Sequence, residues 1–279
     1  MNKTEKFFDV KGLNVKPFSN RTSILIISLV SLLLYANTFT HDFAFDDVAV
    51  ITENKFVQEG VSGIPKILTT GSWDGFRPKR AMKIYRPFQL VVFAIQYEFF
   101  ELNAKPYHIF HVFSYAALNC LIFLLLRVLL EKRYPFLPLL ITLLFTIHPL
   151  HTDVVANIKG SADLFAMLFA VLAFLLLLLF LKRKKYTYII FGSISFLISL
   201  SSKETAITYL AIFPLAMYYF TKLKVKTLFL NTIPYAIITI AYLGMRTLVF
   251  SGGNAMSMTI NKYSNSILYS ESLSQHIGT

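Results

Sequence analysis

Seven apolar stretches, with short runs of lysine and arginine at alternate breaks between them, leave this chain few ways to fold. Read from hydropathy alone, they fall at 22–38, 108–130, 136–149, 161–181, 186–201, 205–220 and 227–250. A helix that crosses a bilayer needs about 20 predominantly apolar residues and satisfies its backbone polar groups within itself. Most of the stretches reach or approach that length; 136–149 is short and is expected to extend into its neighbours. With 55% hydrophobic and 15% charged residues in a chain of 279 and a mean hydropathy of +0.58, the composition is too apolar for a water-soluble domain. The predicted fold class is all-α membrane: a polytopic helical bundle of about seven spanning helices.

The net charge of +12 does not gather on one basic face, as a nucleic-acid surface would require, and no nucleic-acid partner is expected. Topology explains it better. The stretch 88–100 is also apolar, but it is short and contains Gln89, Gln96 and Glu98, which suits a helix lying in the interface. With that assignment, 15 of the 27 Lys and Arg residues fall in 1–21, 127–133, 182–185 and 222–226, whereas the turns at 150–160 and 201–204 carry one each. The positive-inside rule makes the first set cytoplasmic. Counting 88–100 as a span would invert every later loop and place 182–185 outside.

The expected organisation is then a basic cytoplasmic leader (1–21), a transmembrane domain (22–250) with a long extracytoplasmic first loop (39–107) carrying the interfacial helix, and a polar tail (251–279). The tail reads as the start of another extracytoplasmic loop in a truncated chain. The first span is expected as an uncleaved signal anchor, because 32–37 offers no small-x-small cleavage site. A single cysteine, Cys120, permits no disulfide framework.

Four polar elements fall on the outward side. Asp46-Asp47 follows the first span; adjacent interfacial carboxylates raise each other's pKa unless compensated, and one could serve as a general base. A helix cap or interfacial turn is the plainer reading. His148, His151 and Asp153 surround Pro149 and offer metal or phosphate ligands, although their spacing matches no defined zinc motif; a structural role is as well supported. Lys203 is the only basic residue between Lys185 and Lys222, available for an anionic headgroup or for pairing with Glu204. Tyr85-Arg86-Pro87 opens the interfacial segment, and the guanidinium fork of Arg86 suits a phosphate or a snorkelling anchor. Arg77, Lys79, Arg80 and Lys83 read as solvated or headgroup-facing charges.

In their order and spacing these residues resemble the N-terminal half of GT-C type glycosyltransferases, most closely the transmembrane and tetratricopeptide-repeat O-mannosyltransferases. The similarity runs through Tyr35-Ala36-Asn37-Thr38-Phe39 into Phe45-Asp46-Asp47, then Ile51, Asn54, Val57 and Gly60, Tyr85-Arg86-Pro87, His108 and His111, 148–157, and Ser202-Lys203-Glu204. The resemblance implies Asp46 as catalytic base with Asp47 as its partner, Arg86 and Lys203 beside the phosphate of a polyprenyl-phosphate sugar donor, and Tyr85, His148, His151, Asp153 and Glu204 lining the cavity.

It further implies transfer of a sugar, mannose first, to an acceptor hydroxyl on protein Ser/Thr or a glycan. It names no certain cofactor and leaves a divalent cation open. Membrane lipids are the remaining partners, and the expected location is a bacterial inner (plasma) membrane with the active face extracytoplasmic. Two departures stand out: Gly160-Ser161 replaces the Gly-Arg the family tends to carry, and the chain lacks the later spanning helices and repeat domain. A lipid- or glycan-directed transferase and an inactive remnant stay open as alternatives. A transporter is disfavoured, because the segment centres are nearly free of charge.

Overall fold

The computed structural model describes residues 18–76, 83–130 and 134–251, and no strand occurs among them. α1 (Asn20–Tyr35) begins at Ser19, whose hydroxyl accepts from the Thr22 N–H at 3.1 Å, and tightens into a 3-10 turn through Thr40. The first loop contains α2 (Lys55–Gln58), α3 (Ile64–Thr69) and α4 (Pro87–Phe100). Then come α5 (Ala104–Leu130), α6 (Leu137–Thr146), the short α7 (His151–Ala156), α8 (Ser161–Arg183), α9 (Tyr186–Ser202), α10 (Tyr209–Phe220) and α11 (Val225–Ser251).

Among the described residues, four stretches are long and apolar enough to cross a membrane: Asn20–Thr40, Ala104–Leu130, Ile158–Arg183 and Val225–Ser251. The other three expected spans fold shorter, with 10 residues in α6, 17 in α9 and 12 in α10. At 1.5 Å per residue they extend roughly 15, 26 and 18 Å, against about 30 Å of hydrocarbon. Four of the seven expected spans therefore have spanning length. Proline accounts for two of the short ones. Pro138 lies in the first turn of α6, whose chain leaves the helix just before Pro149, and Pro214 interrupts the hydrogen-bond ladder of α10.

α8 and α9 form an antiparallel hairpin with the most extensive contact in the molecule. α5 packs on α8, α1 and α6 pack on α5, and α11 packs on α9 and α10. Phe174, Phe196, Phe213 and Tyr235 interlock at the centre with ring centroids 5.0–5.6 Å apart. Gly192 makes this approach possible: a Cβ there would stand 2.5 Å from the Tyr235 hydroxyl, which donates to the Ala173 carbonyl. Polar contacts join other helices, as expected where lipid offers no competing water. Asn119 donates to the Ser31 hydroxyl at 3.0 Å and Ser199 to the Ala166 carbonyl at 2.6 Å. On α11, Phe229, Ile233, Ile237 and Ile240 repeat at helical spacing and are exposed, the surface a lipid-facing helix presents. This is an all-α membrane protein.

The first loop has its own core. Val50, Ile51, Val57, Ile67, Leu90 and Phe93 pack together with Tyr107 of α5 and Ile158, which tie this helical cap to the bundle. α4 begins with Pro87 in its first turn and stops at Glu101, where φ is +46°. Its 14 residues reach roughly 21 Å, too short for a span. Because the helices alternate in direction, the basic turns 182–185 and 222–226 share one end of the bundle, and the starts of α5 and α8 and the turn after α9 share the other. Of the remaining charged segments, 1–17, 131–133, 77–82 with Arg77, Lys79 and Arg80, and the tail 252–279 lie outside the described residues.

Candidate functional site

The acidic element is a tight turn closed twice by one residue. The Asp47 N–H donates to the Ala44 carbonyl at 3.0 Å, and Asp47 Oδ2 accepts the Ala44 N–H at 2.9 Å. Closing the turn this way puts Phe45 at φ +48° with its ring 89% exposed. That left-handed conformation costs a bulky residue about 1–2 kcal/mol, and it turns Asp46 outward while Asp47 turns in. The chain continues as a π-turn over Val48–Thr52, a form that recurs near functional sites.

Asp47 is 1% exposed, and its second oxygen, Oδ1, accepts the Lys159 N–H at 2.8 Å. Burial pushes its pKa up, partly offset by the two backbone N–H groups that stabilise the anion. Asp46 has a side chain 53% exposed, and its Oδ2 receives Lys159 Nζ at 2.7 Å. The turn that presents Lys159 is itself fixed. The Asn157 side chain accepts the same N–H at 3.1 Å, and Gln89 of α4 donates both to the Lys159 carbonyl at 2.7 Å and to Ser161 Oγ at 2.8 Å. Ser161 is thus a buried partner of Gln89, and the cation near the acidic pair comes from Lys159.

The second cluster joins the cap to the turn after α9. Arg86 donates from Nε and Nη2 to the two carboxylate oxygens of Glu204, both at 2.9 Å. This fork holds the Glu204 carboxyl at a pKa of about 2, well below the usual range, although burial opposes it. The Arg86 guanidinium is correspondingly raised. Around it, the Arg86 N–H donates to Ser72 Oγ, the Tyr85 hydroxyl to the Leu68 carbonyl, and the Tyr242 hydroxyl of α11 to the Tyr85 carbonyl. Lys203 does not pair with adjacent Glu204. Its Nζ reaches across to Asp163 of α8, at 2.6 and 2.7 Å from the two oxygens.

A cavity of about 250 Å³ lies between α5, α8 and the turns after α6 and α9, lined by Tyr115, Phe145, His151, Asp163, Met167 and Tyr209 among others. Of the residues expected to line it, His151 does. The others are turned away: Tyr85 is buried beneath α11, Glu204 is engaged by Arg86, and His148 and Asp153 are exposed at the start of α7. The Tyr115 hydroxyl donates to the Thr146 carbonyl and so accepts from His151 Nδ1, both at 2.9 Å, which assigns the ring proton to Nδ1. Burial, with His148 alongside, holds the His151 pKa below its ordinary value. His148 Nδ1 accepts the Leu150 N–H at 3.3 Å. His108 and His111 are buried in α5, where the backbone of Asp42 faces His108 and that of Val154 and Ile158 faces His111 without any ring nitrogen reaching full hydrogen-bond geometry.

A divalent cation does not suit the acidic pair, since both oxygens of Asp47 accept backbone N–H groups and Asp46 holds an ammonium. Among the described residues, no group of three His, Cys, Asp or Glu side chains could hold a metal. Three residues of the site escaped sequence reasoning: Lys159, Gln89 and Asp163. Gln89, buried among the apolar residues of the first half of α4, carried a readable signal, because such a polar group demands a partner.

Fold and site describe a helical membrane protein in which a small cap is clamped over one end of the bundle by ion pairs and backbone hydrogen bonds, with the Asp46 carboxylate exposed. No protein-family model matches the chain, and no solved structure matches it significantly. The chain is similar to curated protein O-mannosyl-transferases: TMTC3 of Mus musculus, 30% identical over 54% of this chain and 16% of the relative; TMTC1 of Homo sapiens, 33% over 54% and 17%; and TMTC2 of Homo sapiens, 29% over 83% and 28%. It therefore spans between about a sixth and somewhat over a quarter of the length of these relatives.

Proposed function

We propose that this chain carries the sugar-transfer site of a GT-C type membrane glycosyltransferase, moving mannose from a polyprenyl-phosphate donor to a Ser or Thr hydroxyl of a protein on the extracytoplasmic side. The observation that carries this reading is the division of labour in the acidic turn: Asp47 is spent on the fold, whereas Asp46 is held outward with one oxygen on a lysine. The similarity to protein O-mannosyl-transferases supports mannose and a protein acceptor. The basic turns at the far end of the bundle support the orientation.

In this mechanism Asp46 takes the proton of the acceptor hydroxyl as its oxygen attacks the anomeric carbon. The bond from that carbon to the phosphate oxygen breaks, and the lipid phosphate leaves with the bonding pair, so a single displacement inverts the anomeric centre. The apolar cavity walls suit the first isoprene units. Lys203, at the edge of the cavity through Asp163, is placed to favour charge developing on the departing phosphate more than charge in the bound donor. Arg86 has a different part: with both donors of its fork on Glu204, it positions the turn that presents Lys203.

Transfer from a radiolabelled polyprenyl-phosphate mannose to a Ser/Thr peptide, in membranes carrying the wild-type chain or Asp46→Asn, tests the reading. Transfer by wild type alone is expected. Absence of transfer by wild type, or equal transfer by both, overturns it. Orientation is checked with a cysteine at position 184, which membrane-impermeant reagents should reach only from the cytoplasmic side.

A further inference from the structure

Lys159 combines the most firmly anchored backbone in the site with one of its most easily released side chains. Its N–H is shared by Asp47 and Asn157, and its carbonyl is held by Gln89. The preceding residue, Ile158, is 1% exposed in the cap core. The following residue, Gly160, lies so close to the Val154 carbonyl that a Cβ would come within 2.3 Å of its oxygen. The side chain, by contrast, ends in one ion pair whose partners are 31% and 53% exposed. A pair this solvated is worth at most about 1 kcal/mol, so a second anion within the sweep of the lysine can compete for the ammonium. Past this turn, Asp163, four positions beyond Lys159, holds Lys203 in a similarly open pair. An unneutralised Asp46 would repel any phosphate approaching that turn; a lysine shared between the two removes the repulsion.

We propose that Lys159 is an exchangeable cation. In the empty site it neutralises Asp46; when the donor binds, its ammonium moves to the phosphate and leaves the carboxylate free to accept a proton. The base is then bared only when a sugar is in place. No covalent bond changes in the exchange and the lysine stays protonated. The inference rests on the sugar-transfer reading and adds Lys159 to the donor-contacting groups.

Binding of farnesyl phosphate, with farnesol as the uncharged control, tests it in nanodiscs carrying wild type, Lys159→Gln, Asp46→Asn and the double variant. Exchange predicts that Lys159→Gln weakens farnesyl phosphate binding about three- to five-fold, and that Asp46→Asn tightens it by a similar factor because the lysine is no longer detained. The gain from Asp46→Asn disappears in the double variant and persists over Lys159→Arg, which retains the charge and serves as the reference if Lys159→Gln folds poorly. Farnesol binds all variants alike. An Asp46→Asn gain that survives in the double variant means direct repulsion and overturns the exchange, as does wild-type affinity in Lys159→Gln. If no variant distinguishes farnesyl phosphate from farnesol, the lipid-phosphate reading itself fails, and the inference with it.

Discussion

Asp46-Asp47 and Lys203-Glu204 are both adjacent charged pairs at the same end of the bundle, and in each the two members take different partners. Asp47 is buried and Glu204 is gripped by Arg86, while Asp46 and Lys203 each hold one ion-pair partner; Asp46 is the exposed member of its pair, whereas the Lys203 side chain, 24% exposed, is less open than that of Glu204 at 35%. The means of engagement differ. Asp47 is satisfied by two backbone N–H groups, so its burial is compensated locally and without a counter-charge. Glu204 is satisfied by the Arg86 fork, so its carboxylate depends on one residue 118 positions away. A buried polar group without partners is costly, and Asp47 and Glu204 meet that requirement by different means.

Breaking the fork should produce the largest loss of stability. Arg86→Ala leaves Glu204 half-buried without its counter-charge, and a loss of about 2 kcal/mol is expected. That is less than for a fully buried pair, because the Glu204 side chain keeps 35% of its exposure. Thermal unfolding in detergent measures it, and Arg86→Lys, which has no fork, should recover less than half. An unchanged melting temperature would mean that the cap is held by its apolar core alone.

Acid should separate the two anchors by sign. The folded-state pKa of Glu204 is about 2, below its ordinary 4.5, so its contribution is present above about pH 4.5 and lost as pH falls toward 2. Asp47 is raised from its ordinary 3.8; its contribution is present below that value and lost as pH rises through the folded pKa. Across roughly pH 2 to 5, Glu204→Gln should flatten the fall in melting temperature relative to wild type, and Asp47→Asn should steepen it. Parallel profiles would remove the distinction.

A smaller effect is expected at the turn itself. Phe45→Gly relieves the positive φ and should stabilise the fold by up to about 1 kcal/mol, raising the melting temperature by a few degrees. A fall instead would show that the exposed ring makes contacts that outweigh the strain.

Much of the fold was legible in the sequence because apolar length and the basic turns act locally. The same patterns distinguished α4 from a span, since Gln89, Gln96 and Glu98 interrupt its hydropathy. The short helices were less legible: α6 and α10 are set by Pro138, Pro149 and Pro214, whereas hydropathy runs on past them. In the site, the order of Asp46-Asp47, Tyr85-Arg86 and Lys203-Glu204 could be read, but their partners could not. Lys203 meets Asp163, 40 positions away, rather than its neighbour, and Lys159 reads in sequence as one stray charge in a turn. The two aspartates are chemically identical in the sequence; the Ala44 and Lys159 peptides at Asp47 and the Lys159 ammonium at Asp46 tell them apart.

That difference between neighbours is the central claim, and paired measurements on Asp46→Asn and Asp47→Asn test it most directly, with mannose transfer and melting temperature recorded for each. Asp46→Asn should lose about 10²- to 10⁴-fold in transfer rate at a nearly unchanged melting temperature. Asp47→Asn turns an amide N–H₂ toward a backbone donor, so it should cost about 1–3 kcal/mol of stability while retaining transfer at temperatures where it is folded. The reverse pattern, with transfer abolished at a native melting temperature by Asp47→Asn and retained by Asp46→Asn, would contradict the account.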